Sequence, residues 1–165
     1  MTESEVYLRS KKLLRRLGWT LVGGQPPSGC DHLPVIEIKD PARTTKGSRG
    51  AYKPDLVAVL GSRLLLVECK PEHDDGDVTK LRAVIEDQGR RQALVDEMLQ
   101  RGLLKRHSIT TSAEELIAGI EGAVAHAGRV TNLANLCVIR IGSQPQDDQL
   151  IEPPDLECHL FEGLE

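Results

Sequence analysis

Aromatic side chains are almost missing from this chain of 165 residues: Tyr7, Trp19, Tyr52 and Phe161 are the whole set. Single-stranded bases are commonly held by stacking on aromatic platforms, so that mode of recognition is disfavoured. Paired cysteines are missing as well. Cys30, Cys69, Cys137 and Cys158 stand far apart with no C-x-x-C motif, which signals neither a disulfide framework nor a zinc ribbon and points to reduced thiols. Cys30 with His32, and Cys158 with His159, each lack a second ligand pair at zinc-binding spacing. No apolar run approaches membrane-spanning length and no signal-like segment opens the chain, so a soluble, cytoplasmic protein without a membrane partner is expected.

What is present is enough apolar residue for one core, 39% of the chain, at a length that suits a single domain. The net charge of -4 hides an uneven distribution. Residues 1–53 carry ten Lys/Arg against five Asp/Glu, whereas 54–165 carry eleven against twenty. A basic front half is compatible with phosphate contacts even though the whole chain is acidic.

Thr2-Glu3-Ser4-Glu5 has the form of a capping box, and Val6, Leu13, Leu14 and Leu17 recur on one side of the helix it would open, which ends near Gly18. Arg9, Lys12 and Arg16 line its other side. Residues 21–22 and 34–39 read as short strands, and the polar, basic run 40–53 reads as a loop. Residues 55–60 and 63–70 read as strands joined by Gly61-Ser62, a Gly-first link of the type II′ kind. Asp77 is expected to cap a helix running to about Arg101, with Leu81, Ile85, Gln88, Gln92, Val95 and Leu99 on its core-facing stripe and Gly102 as its stop. Ser112-x-x-Glu115 is expected to cap a second helix that runs to about Ala127. Residues 136–141 read as a buried strand and 156–161 as a weaker one. The expected fold is α/β (α+β), a mixed sheet flanked by helices. Residues 1–143 are expected to form the domain, and 144–165, with seven Asp/Glu and no Lys/Arg, a solvated acidic extension with room for an edge strand.

The hairpin carries the chemistry. If Gly61 and Ser62 are its loop, Asp55 lies opposite Glu68, while Lys70 and Lys53 share that face. Opposed like charges destabilise a sheet, so something positive is needed between them. Two readings meet that need. The acids either reach solvent at the sheet end and pair with Lys53 and Lys70, or converge on a hard cation such as Mg²⁺, which is commonly held by one or two carboxylates. His73 and His107 lie in polar segments and are expected to face solvent, and Cys69 points to the core face.

"KPDLVAV" followed by "LLLVECKP" resembles the PD-(D/E)XK nuclease superfamily: Pro54-Asp55, a gap of twelve residues, then Glu68-Cys69-Lys70. The order of elements over residues 3–141 also resembles the αβββαβ core of that restriction-endonuclease-like fold. The resemblance implies a Mg²⁺-dependent DNA endonuclease, with Mn²⁺ as a substitute. It implies Asp55, Glu68 and the Cys69 carbonyl as metal ligands, and Lys70 orienting or helping to deprotonate the attacking water. A further acid on the first helix would be Glu5, less so Glu3, although Glu5 has a competing role in the capping box. A glutamine of the long helix, Gln88 or Gln92, would join the site if it is not simply hydrogen bonded to backbone. Arg43, Lys46, Arg49 and Lys53, in the loop leading into Asp55, are expected to contact DNA phosphates. The partner implied is double-stranded or structured DNA, with homodimerisation. The alternative is a catalytically inert subunit that binds DNA or protein.

Overall fold

A computed structural model describes residues 1–29, 31–42, 50–129 and 133–153. Helix α1 (Glu3–Arg16) starts at the expected capping box: Thr2 Oγ1 accepts from Glu5 N at 3.2 Å and the Glu5 carboxylate accepts from Thr2 N at 2.6 Å. Strands β1 (Thr20–Gly24), β2 (Leu56–Leu60) and β3 (Arg63–Cys69) then form an antiparallel meander. Leu60 faces Arg63 and Leu56 faces Val67, the register expected from the hairpin. Gly61 adopts φ +58, the left-handed value that a Gly-first turn requires.

Among the described residues a mixed sheet of six strands results, in the order β1 to β6. Strand β3 runs parallel to β4 (Ile120–Ala127), which runs parallel to β5 (Cys137–Ile141). Strand β6 (Gln149–Ile151) closes the edge antiparallel to β5. Strand alternation divides the apolar residues between two faces. Val57, Val59, Leu64, Leu66 and Val124 pack against helices α2 (Asp75–Ile85), α3 (Gln88–Gln100), α4 (Leu103–Arg106) and α5 (Ala113–Ala118). Ala58, Leu65, Val67, Ala123 and Ala125 pack against Val6, Leu13 and Leu14 of α1. Each large side chain so buried contributes roughly 1.5–3 kcal/mol.

Four expectations are corrected. The long helix is two helices, because Asp87 caps a new one by accepting from Arg90 N at 2.9 Å. That break resets the helical phase: α3 buries Leu94, Val95 and Met98, while Gln88, Gln92 and Leu99 face outward. The helix from Ser112 has its capping box but ends at Ala118, and the Ala/Gly-rich run beyond it is the central strand β4. Small residues are needed there because helices close on both faces: Ala123 and Ala125 lie against α1, a Cβ at Gly122 would lie 2.6 Å from Ile85 Cδ1 of α2, and at Gly119, just before the strand, one would collide with the Ser62 carbonyl of the hairpin turn. Residues 34–39 form no ladder; Ile38 and Tyr52 exchange backbone bonds at 2.7 and 3.0 Å as an isolated bridge. Finally, the chain from 144 onward is not simply a solvated tail. Asp148 is buried, pairs with Arg9 and accepts from Gly142 N at 2.9 Å, and β6 follows it. The expected strand 156–161 lies outside the described residues. No helix among the described residues is long and apolar enough to cross a membrane.

Candidate active site

The meander brings the start of β2 and the end of β3 to one edge of the sheet, the carboxyl-terminal end of β3, where a cleft of about 630 Å³ opens. Asp55, Glu68, Lys70 and Lys53 all line it, joined by Tyr52 and Lys80. The sequence neighbours of Asp55 and Glu68 explain their burial, since Leu56 and Val67 are wholly buried strand residues that draw the acids in behind them. Only 5% of Glu68 is exposed. Asp55 is half-buried, and its Oδ2 accepts from the Cys69 backbone N–H at 2.7 Å, which pins the carboxylate across the last rung of the hairpin.

Both acids are hard to ionise. Burial pushes the Glu68 carboxyl well above the usual carboxylate range, and the neighbouring Asp55 charge pushes in the same direction. Burial raises Asp55 as well, opposed by the bond from Cys69 N–H and the charge of Lys70. Tyr52 donates its hydroxyl proton to Glu68 Oε1, and burial followed by the Glu68 charge holds the phenol well above its ordinary value. Two desolvated, mutually repelling carboxylates form an all-oxygen donor set suited to a hard divalent cation, so the residues fit Mg²⁺ or Mn²⁺.

Lys70 donates to Glu3 Oε1 at 2.9 Å, and this bond leads the causes that raise its pKa. This favours the protonated ammonium, and of the two roles expected for Lys70 it suits orienting the water better than deprotonating it. Glu3, on the first turn of α1, lines the cleft. Glu5 does not; it is occupied in the capping box, whose bonds from Thr2 lower its pKa. Gln88 stands exposed at the start of α3 and Gln92 bonds Asp96 at 2.9 Å, so neither amide reaches the cleft. Lys53 lines the cleft while pairing with Glu37 at 3.2 Å. Arg43, Lys46 and Arg49 lie outside the described residues. The Cys69 side chain is fully buried on the α1 face, where burial drives its pKa far up. His73 is exposed, bonds Asp75 at 2.8 Å and meets the buried His126 edge-on.

On the basic side of α1, Lys12 and Arg16 are exposed and Arg9 is half-buried. Arg9 and Arg16 hold the segment around Asp148, the latter through the Asp148 carbonyl at 3.1 Å, and Lys11 pairs with Asp31. Sequence reasoning missed two cleft residues, Tyr52 and Lys80, and the buried Asp77 that pairs with Lys80. Tyr52 precedes the strand, so alternation could not orient it. Asp77 was expected as a cap, but Asp74 caps α2 and Asp77 is buried one turn in. Lys80 lies three residues after Asp77, the one signal that could have linked them.

At the opposite end of the sheet Glu121, Cys137 and Glu152 come together as a group that could hold a metal. Arg63 already bridges both of those carboxylates, and its guanidinium stacks 4.9 Å from the Trp19 ring. Mixed thiol and carboxylate donors around a fixed guanidinium make this an ion-pair cluster rather than a match for Mg²⁺. In comparisons with known proteins, no family model, curated protein or solved structure matches the chain.

Proposed function

We propose that this protein is a metal-dependent DNA endonuclease of the PD-(D/E)XK type. The observation that carries the reading is the convergence of half-buried Asp55 and buried Glu68 with Lys70 in one cleft at the end of the hairpin. The αβββαβ order from α1 to β4, with all four helices between β3 and β4 on one face, supports it further.

Asp55 and Glu68 would hold Mg²⁺ or Mn²⁺, and the Cys69 carbonyl is proposed beside them. When bound, the ion would neutralise charge on the phosphodiester and lower the pKa of a water. The chain's own groups do the rest. Tyr52 fixes one oxygen of Glu68 and leaves the other free for a ligand. Lys70, kept protonated by Glu3, orients the attacking water or a phosphate oxygen by donating a hydrogen bond. Lys53, with Arg43, Lys46 and Arg49 of the preceding loop, supplies phosphate contacts that set the strand in register. The scarcity of aromatics favours duplex or structured DNA over single strands, and a second copy of the chain would supply the second cut.

Supercoiled plasmid incubated with Mg²⁺ or with EDTA tests the reading. Nicking or linearisation in Mg²⁺ alone is expected, and Lys70→Ala should slow it by orders of magnitude while calorimetric Mg²⁺ affinity is kept. Cleavage that persists in EDTA, or in Lys70→Ala at the parent rate, refutes the assignment. One observation favours a second reading: each lysine paired in the cleft has its own carboxylate, which suits an inert subunit that binds DNA or protein. Duplex binding without cleavage in either metal identifies that case.

A further inference from the structure

Lys80 stands on α2 and lines the cleft with Glu68 and Lys70. Its side chain is 57% exposed, yet its ammonium is not free to wander, because Asp77 Oδ1, on a side chain only 4% exposed, holds it at 3.2 Å. Asp77 Oδ2 is buried without a hydrogen-bond partner among the described residues. Among the described residues Lys80 is the one ion-pair partner of this buried carboxylate, and losing it would leave the acid's charge uncompensated, which favours keeping the pair. The outcome is an exposed lysine anchored from below, with donors to spare, since an ammonium carries three and Asp77 takes one.

The cleft repeats this arrangement. Lys70 is tethered by Glu3 at 2.9 Å and Lys53 by Glu37 at 3.2 Å, so three ammonium groups surround the acids and each is positioned by a carboxylate outside the Asp55/Glu68 pair. A cation whose rotamer is already restricted gives up less entropy when it takes an anion. We propose that Lys80, positioned by Asp77, is a further residue of this cleft that contacts a nucleic-acid phosphate. The proposal rests on the nuclease reading and adds to it a contact from α2, an element that supplies none of the other proposed phosphate contacts.

The test uses a fluorescein-labelled DNA duplex of about 20 base pairs. Binding is followed by anisotropy across a KCl series in Mg²⁺, in a Glu68→Gln background that cannot cut, and cleavage of the same duplex is timed in the Glu68 protein. Lys80→Ala is expected to weaken binding several-fold, to reduce the magnitude of the salt slope by about one, and to slow cleavage at least tenfold; Lys80→Arg should restore the slope. Asp77→Asn keeps the ammonium but loosens it, and should raise the half-saturating DNA concentration with a smaller loss of slope. If Lys80→Ala cuts and binds as the parent does, or only melts lower with an unchanged slope, Lys80 is a structural counter-charge and the proposal is overturned while the nuclease reading stands. A parent that neither binds nor cuts the duplex overturns both.

Discussion

Glu68→Gln keeps the shape of a buried side chain and removes its charge, so it asks directly what that charge does in the metal-free fold. An acid whose folded pKa is raised contributes full stability only below its unfolded pKa, and the contribution drains away as pH rises toward the folded value. The ordinary value for Glu68 is 4.5 and burial beside Asp55 raises it. The parent in EDTA should therefore lose stability above about pH 5, at up to about 1.4 kcal/mol per pH unit. From pH 5 to 7 that amounts to about 3 kcal/mol, or about 6–12 °C for a chain of this length. Glutamine does not titrate, so the variant should lack this slope except for the share due to Asp55. Tyr52 can still donate to the amide oxygen, but the buried NH₂ group lacks a partner and costs about 1–2 kcal/mol. At pH 7 in EDTA the variant should thus melt at or slightly above the parent, and at pH 5 below it. Added Mg²⁺ should raise the parent's melting temperature more than the variant's, because a ligand stabilises only the state that binds it. Thermal melts at three pH values, each with EDTA and with Mg²⁺, give every quantity needed. A parent curve flat from pH 5 to 7, together with a variant several degrees less stable at pH 7 and no response to Mg²⁺ in either, would refute the reasoning and make Glu68 a structural ion-pair partner.

Tyr52→Phe removes the donor to Glu68 while retaining the ring; Mg²⁺ affinity by calorimetry should fall about 10- to 100-fold, and an unchanged dissociation constant would remove Tyr52 from the site. Gly119→Ala drives a Cβ into the Ser62 carbonyl, so urea denaturation should show a loss of about 3 kcal/mol or more, whereas a loss below about 1 kcal/mol would mean that β4 and the hairpin turn separate easily. Arg9→Ala removes the ion-pair partner of the buried Asp148 carboxylate, and a loss of about 3 kcal/mol is expected at neutral pH by urea denaturation; equal stability would show that β6 is held without this pair.

Much of the site was legible because its determinants are local. A capping box needs four consecutive residues, and the turn at Gly61-Ser62 sets the register of everything in the hairpin, so the pairing of Leu56 with Val67 and the approach of Asp55 to Glu68 follow from a dozen letters. The glutamines failed for an equally local reason read wrongly: one cap at Asp87 shifts the phase of the helix that follows, and Gln88 moves from an expected inner stripe to the surface.

The amino-acid order alone determined the capped first helix, the hairpin register, the two-sided burial of β3 and the presence of Asp55, Glu68 and Lys70 at one strand end. Only the tertiary structure decided that the Ala/Gly-rich run after Gly119 is a central strand, because its small residues answer to helices pressing from both faces rather than to their own helical propensity. It likewise decided that Glu3 rather than Glu5 meets Lys70, that Tyr52 caps Glu68, and that Asp77 anchors Lys80 over the cleft. Glu3 and Lys70 are 67 positions apart, and Tyr52 and Glu68 are 16. Side chains that far apart in sequence meet only after the sheet has assembled and the helices have packed, when burial and charge select among partners that no local pattern distinguishes.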